Sequence, residues 1–360
     1  MEIYLLTSYR TFRKSISKSK LKKIKFDAPM KLFNPQTILL SFTGAVQFWK
    51  DEFICSTHRC AMKVQVKANN EVEYSKLNVP LHALINFQMN EKYAVELSNN
   101  ESKVHLLKGD EVVSVAIFNE FKCSVRNTVV PLISRGARLV KNKLYFINKD
   151  FDLVVHTFED EDFLGNPFTK QAQKLASNIR DFDISNKGRI WAISAKGETF
   201  NVEHPQESYQ MFPLNAEFVA KKTIFTCIKA FKRWLIVAGD SKERTVYSLQ
   251  PIGSSRKSRL IELETETPAS NAPQPQREAA STVVQKILGF EKGKLEFAIG
   301  MRFYSGWDLF YIRNHALVQI FTKFEFKFKN FFDCFILKRG QKVSLVMFCD
   351  NGLFTSRLIL

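Results

Sequence analysis

Apolar positions along the chain fall in short runs separated by small polar turns, and one unit returns seven times: an apolar strand, a turn rich in Gly, Asn or Asp, and a second strand. The pattern predicts hairpins over residues 38–49 (turn Thr43-Gly44), 93–107 (Asn99-Asn100), 144–156 (Lys149-Asp150) and 189–202 (Lys196-Gly197). Three more follow over 234–249 (turn 240–243), 295–312 (Ser305-Gly306) and 343–358 (Asn351-Gly352). Gly, Asn and Asp suit these turns because they tolerate the positive φ that tight hairpins demand. Residues 169–179 read as a short surface helix, and β-branched and aromatic runs dominate elsewhere.

A lone hairpin cannot bury its apolar face, whereas hairpins stacked in a ring cover one another. The expectation is therefore an all-β chain folded as a single β-propeller of seven four-stranded blades. The turns fall roughly 45 to 65 residues apart, and the widest spacing coincides with the Pro-, Ser- and Gln-rich residues 253–284, read as a flexible insertion. Residues 31–360 are assigned to the propeller and residues 1–30 to a basic N-terminal segment. Within that segment residues 3–6 are a candidate strand to complete the last blade.

The spaced hairpins over residues 31–360 resemble the WD40-like β-propeller superfamily, with 181–193 the best single-blade match. The family's Gly-His and terminal Trp-Asp signatures are missing, and Trp307-Asp308 opens a strand instead of closing one. Its structural hydrogen-bond network is therefore carried over to no residue. The resemblance implies a platform within a multisubunit complex.

Composition adds charge to this picture. The chain carries 53 Lys and Arg against 36 Asp and Glu, a net charge of +17 that favours anionic partners. An acid-free stretch holds Arg10, Arg13, Lys14, Lys18, Lys20, Lys22, Lys23 and Lys25. A second candidate is the alternating run 321–329, with Lys323, Lys327 and Lys329 on one strand face and Phe324, Phe326 and Phe328 on the other. These eleven cations are the candidate contacts to nucleic acid or an acidic partner.

Chemical motifs are sparse. The segment 289–294 is too short for a phosphate loop and is followed by Leu295 where Ser or Thr is needed. Cys55, His58 and Cys60 have the chemistry of zinc ligands but no fourth partner at a recognisable spacing, and the acidic run Glu159 to Asp162 reads as a solvated loop tip. No cofactor, metal or small-molecule substrate is expected, and the chain is read as non-catalytic. Six scattered cysteines, no secretory leader and no apolar run of spanning length point to a soluble intracellular protein of nucleus or cytoplasm. The leading expectation is a scaffold for other protein subunits in a nuclear or ribonucleoprotein complex. The alternative is an accessory propeller that positions RNA for a catalytic partner.

Overall fold

The computed structural model describes residues 25–26, 30–31 and, apart from a number of turns and the longer stretches 119–136, 211–224 and 267–285, residues 42–323 and 331–359. The architecture is nearly all β: seven small antiparallel sheets form a seven-bladed β-propeller, as the hairpin spacing predicts.

Each blade is a meander of sequential strands. Blade 1 comprises Phe42–Trp49, Glu52–Thr57, Ala61–Val66 and Val72–Lys76. Blade 2 comprises Leu84–Met89, Tyr93–Ser98, Ser102–Lys108 and Glu111–Phe118. Blade 3 comprises Ala137–Val140, Lys143–Ile147, Leu153–Thr157 and Gln173–Ala176. Blade 4 comprises Ile179–Ile184, Ile190–Ser194, Glu198–Asn201 and Ser208–Gln210. Blade 5 comprises Phe225–Ala230, Trp234–Gly239, Arg244–Pro251 and Ser258–Glu262. Blade 6 comprises Lys286–Lys292, Leu295–Arg302, Gly306–Arg313 and Ala316–Lys323. Blade 7 takes Phe331–Arg339, Lys342–Cys349 and Gly352–Ile359 from the C-terminal part of the chain.

The outer edge of blade 7 is completed from the other end of the chain. Lys25 and Phe26 pair antiparallel with Ile359 and Leu358, and Met30 and Lys31 pair with Thr355 and Phe354. These two short strands cover backbone groups that would otherwise form an open edge. The candidate closing strand 3–6 lies outside the described residues. First strands of neighbouring blades lie against one another around most of the ring, including blade 7 against blade 1.

The core lies between blades, and strand alternation explains how. In blade 7, Leu345 and Met347 pack with Phe297, Leu309 and Tyr311 of blade 6. The intervening Val346 and Phe348 pack with Phe53, Val64 and Val66 of blade 1. Blade 5 repeats this, with Trp234 and Ile236 against blade 4 and Leu235 and Val237 against blade 6. A central strand with a neighbour on both sides therefore reads as a continuous apolar run, and all five residues of Ile190–Ser194 are buried. A one-residue slip would exchange the two interfaces of a blade, so the register is strongly specified.

Local geometry departs from expectation in three places. Thr43 and Gly44 do not form a turn: they lie within a single strand whose register shifts between Phe42 and Val46, a bulge at which glycine sits readily. The hairpin of blade 1 is instead the pair Glu52–Thr57 and Ala61–Val66. Within the expected surface helix, Gln173–Ala176 is a strand on Leu153–Val155, because the open edge of blade 3 offers backbone partners that outweigh weak helical propensity. Within the expected insertion, Ser258–Glu262 is the outer strand of blade 5 and Glu264–Glu266 pairs parallel with Ala316–Val318 of blade 6. The intervening Leu263 is buried, which pins this connection to the ring.

Candidate functional site

Blades 2 and 3 together present a cavity of about 720 Å³ at the end of the ring where first and second strands join. Its framework is polar and local. Asn90, at the first turn of blade 2, accepts the backbone N–H groups of Lys92 and Tyr93 on Oδ1, both at 2.9 Å. Its Nδ2 donates to the carbonyl of Lys141 in the equivalent turn of blade 3 at 2.5 Å. Asn142 Nδ2 donates to the Phe158 carbonyl at 2.9 Å, and Phe158 returns its N–H to Asn142 at 2.8 Å. Thus two hairpin turns and the exit of the third strand of blade 3 are held as one rim.

The acidic run adopts a 3₁₀ turn over Asp160–Phe163, anchored by buried Phe163 stacked on Tyr93 at 5.9 Å. Lys92 Nζ lies 2.5 Å from Asp160 Oδ1, and the Tyr93 hydroxyl donates to the same oxygen at 3.4 Å. The hydrogen bond from Lys92, reinforced by its charge, holds the Asp160 carboxyl below the usual carboxylate range. The same hydrogen bond raises Lys92, and burial raises the Tyr93 phenol. Glu91, Glu159 and Glu161 also line the cavity, so its mouth is acidic on a strongly basic chain. The run expected to be a solvated tip is in part a wall of this cavity.

The 3₁₀ turn also touches the outermost strand of blade 2, where Ser114 Oγ donates to the Phe163 carbonyl at 3.1 Å. That strand, Glu111–Phe118, bulges between Val112 and Ser114 and leaves Val113 53% and Val115 45% exposed. They are two of the four large hydrophobics exposed among the described residues. The place of this strand at the outer edge of its sheet exposes them.

Behind that strand lies a buried polar pair. Glu96 Oε1 and His105 Nε2 are 3.2 Å apart, with 2% and 1% of their side chains exposed. Both sit on the face of blade 2 opposite Val95 and Val104, which pack against blade 3. Neither residue opens onto the cavity.

Of the basic residues singled out from the sequence, Lys25 forms part of the closing strand opposite Ile359, and Lys323 ends the fourth strand of blade 6 opposite Trp307. Arg10, Arg13, Lys14, Lys18, Lys20, Lys22, Lys23, Lys327 and Lys329 lie outside the described residues, as do Phe324, Phe326 and Phe328. Lys25 and Lys323 stand on different blades, and neither lines the cavity. Cys55 is a buried cysteine outside any disulfide, its Sγ 3.7 Å from the Met62 carbonyl, and His58 and Cys60 lie outside the described residues. Among the described residues no group of three His, Cys, Asp or Glu side chains converges on a metal site, and no helix is long and apolar enough to cross a membrane.

No protein-family model and no curated protein sequence matches the chain. Solved structures do. A chain of the S. cerevisiae structure of Dbp5 bound to Nup159, Gle1, IP6 and ADP superposes with a TM-score of 0.55 at 11% identity, covering 94% of this chain and 95% of that one. The N-terminal domain of Nup159 gives 0.52 at 11%, over 94% and 96%. A streptogramin B lyase gives 0.54 at 10% identity, over 92% and 98%. Likenesses at this identity concern shape alone, and what they have in common with the seven sheets described above is the seven-bladed β-propeller.

Proposed function

We propose that this chain is a non-catalytic, WD40-like propeller scaffold whose blade 2 and blade 3 rim docks an extended, basic segment of a protein partner. The observation that carries this reading is the outer strand of blade 2, with Val113 and Val115 exposed, joined through Ser114 to the 3₁₀ turn whose Asp160 and Glu161 wall the acidic cavity. An extended segment adding to such an edge gains backbone hydrogen bonds and covers the valines, and its Lys or Arg side chains meet Glu159 and Glu161. Nup159, a nucleoporin of similar shape, is seen bound with protein partners, which supports a platform role in a nuclear or cytoplasmic assembly.

The test is affinity purification of the full chain from its own cells, with and without nuclease, beside Val113→Lys/Val115→Lys and Glu159→Lys/Glu161→Lys variants. Specific protein partners should survive nuclease and be lost from both variants. Partners that vanish with nuclease, or that are retained equally by both variants, would refute the proposal. Loss with nuclease would favour the RNA-positioning alternative.

A further inference from the structure

A second recess, of about 290 Å³, opens between blades 7 and 1 where the ring closes. Strand alternation builds it. The face of blade 7 that buries Leu337, Val346, Phe348 and Leu353 against blade 1 continues, two residues at a time, toward the first turn of the blade. Beyond Leu337 comes Arg339, before Val346 come Ser344 and Lys342, and beyond Leu353 come Thr355 and Arg357. Blade 1 adds Val66, the last core residue of its third strand, and Lys67.

The result is an apolar floor of Val66 and Leu337, 2% and 4% exposed, beneath the cations Lys67, Arg339, Lys342 and Arg357. Ser344 and Thr355 contribute hydroxyls, and no carboxylate lines the recess among the described residues. Lys67 is shared with Glu73, which stands outside the lining. Four cations gathered around so small a space raise the local potential and draw an anion toward it.

We propose that this recess is a binding site for a phosphomonoester. A phosphomonoester brings close to two negative charges and three acceptor oxygens, which suits a recess walled by guanidinium, ammonium and hydroxyl groups. A single carboxylate would leave most of these donors unmatched. The volume accommodates one phosphate and the first atoms of its carrier, which fits a terminal phosphate better than a diester strand continuing in both directions. Because the walls come from both sides of the closing seam, an occupied site also joins blade 7 to blade 1. The site is separate from the blade 2 and blade 3 rim and stands independently of the scaffold reading.

The experiment is calorimetric titration and thermal unfolding of the full chain at fixed ionic strength. The probes are O-phosphoserine, a phosphoserine peptide, its unphosphorylated form and a short single-stranded RNA without a terminal phosphate. Both phosphorylated probes should bind and raise the unfolding midpoint in a concentration-dependent way, because a ligand for the folded state stabilises it by mass action. Arg339→Gln/Arg357→Gln should weaken binding at least tenfold, and Lys342→Gln alone, at an exposed position, severalfold. The unliganded midpoints of the variants are read alongside, so that a loss of fold is told apart from a loss of binding. Lys187→Gln, on an exposed turn of blade 4, should bind as the parent does. Peptide binding tenfold tighter than O-phosphoserine would assign the site to a modified protein segment, and equal affinity to a free small phosphoester; either supports the proposal. Absence of binding at millimolar probe, equal weakening by Lys187→Gln, equal binding of the unphosphorylated peptide, or RNA binding as tightly as the monoesters would each overturn it.

Discussion

Replacing Phe348 by Ala tests whether the last blade is locked to the first by side-chain packing. Phe348 is fully buried, 5.1 Å from the ring of Phe53 across the seam at 65° and 5.9 Å from Phe335 within its own blade at 87°. Loss of the phenyl ring forfeits its transfer free energy and leaves a cavity, together about 3–5 kcal/mol. The surrounding Phe53, Val64 and Val346 are themselves fully buried and fixed in paired strands, so the site has little room to collapse and the upper half of that range is expected. Urea unfolding monitored by tryptophan fluorescence measures the loss. A milder cycle of Phe53→Leu and Phe348→Leu should show coupling of about 0.5–1.5 kcal/mol, the usual worth of an edge-on aromatic pair. Phe348→Leu with Phe182→Leu, which lies in the separate layer between blades 3 and 4, should be additive within about 0.5 kcal/mol. A cost below about 1 kcal/mol for Phe348→Ala, or equal coupling in both cycles, would refute a packed closing seam.

Three further outcomes follow from the same geometry. Deleting residues 1–31 should lower the urea midpoint and promote self-association by exposing the edge of Gly352–Ile359, whereas deleting 1–24 should leave that closure in place; size-exclusion chromatography and unfolding curves compare the two. Lys141→Gly should stabilise the chain by about 1 kcal/mol, since Lys141 holds φ at +55° in the first turn of blade 3, a conformation glycine adopts without strain; urea unfolding measures it. The Asp160 carboxyl should titrate by NMR below the usual carboxylate range, and Lys92→Met should move it back up. Because its folded pKa is depressed, the stabilising contribution of Asp160 is present above the unfolded carboxylate pKa and disappears as pH falls through the folded value. Lys92, raised by the same partner, contributes below its unfolded pKa and ceases to do so as pH rises through the folded one.

The second and third strands of blades 2 to 7 are the most legible part of the chain. They are sandwiched by neighbours, so they are the most apolar, and several of their turns carry explicit chemistry. At Lys196-Gly197, Gly197 holds φ at +74° and the Ser194 hydroxyl accepts the N–H groups of Lys196 and Glu198. Blade 1 hid its true hairpin because the turn after Thr57 has neither Gly nor Asn, while Thr43-Gly44 offered a false one. Outer strands such as Gln173–Ala176 and Ser208–Gln210 are short and polar, and only the free edge beside them makes them strands.

The candidate sites were less legible for a related reason. The run Glu159 to Asp162 was visible, but its pairing with Lys92 depends on two blades meeting. Lys67 and Arg339 stand near opposite ends of the sequence, and nothing in either neighbourhood marks it as half of an anion site. Charge counting drew attention instead to clusters contiguous in sequence, of which Lys25 and Lys323 alone fall within the described strands.

By itself, the sequence determined the all-β class and the hairpin repeat, and it pointed to seven blades, because alternation and turn chemistry are local and each blade must bury both faces. Tertiary structure alone decided which strand closes the ring, which valines remain exposed at an edge, and which charges face one another across a seam. Those features depend on which backbone edges and side-chain rows are left over once the blades are packed, and no local pattern records that remainder.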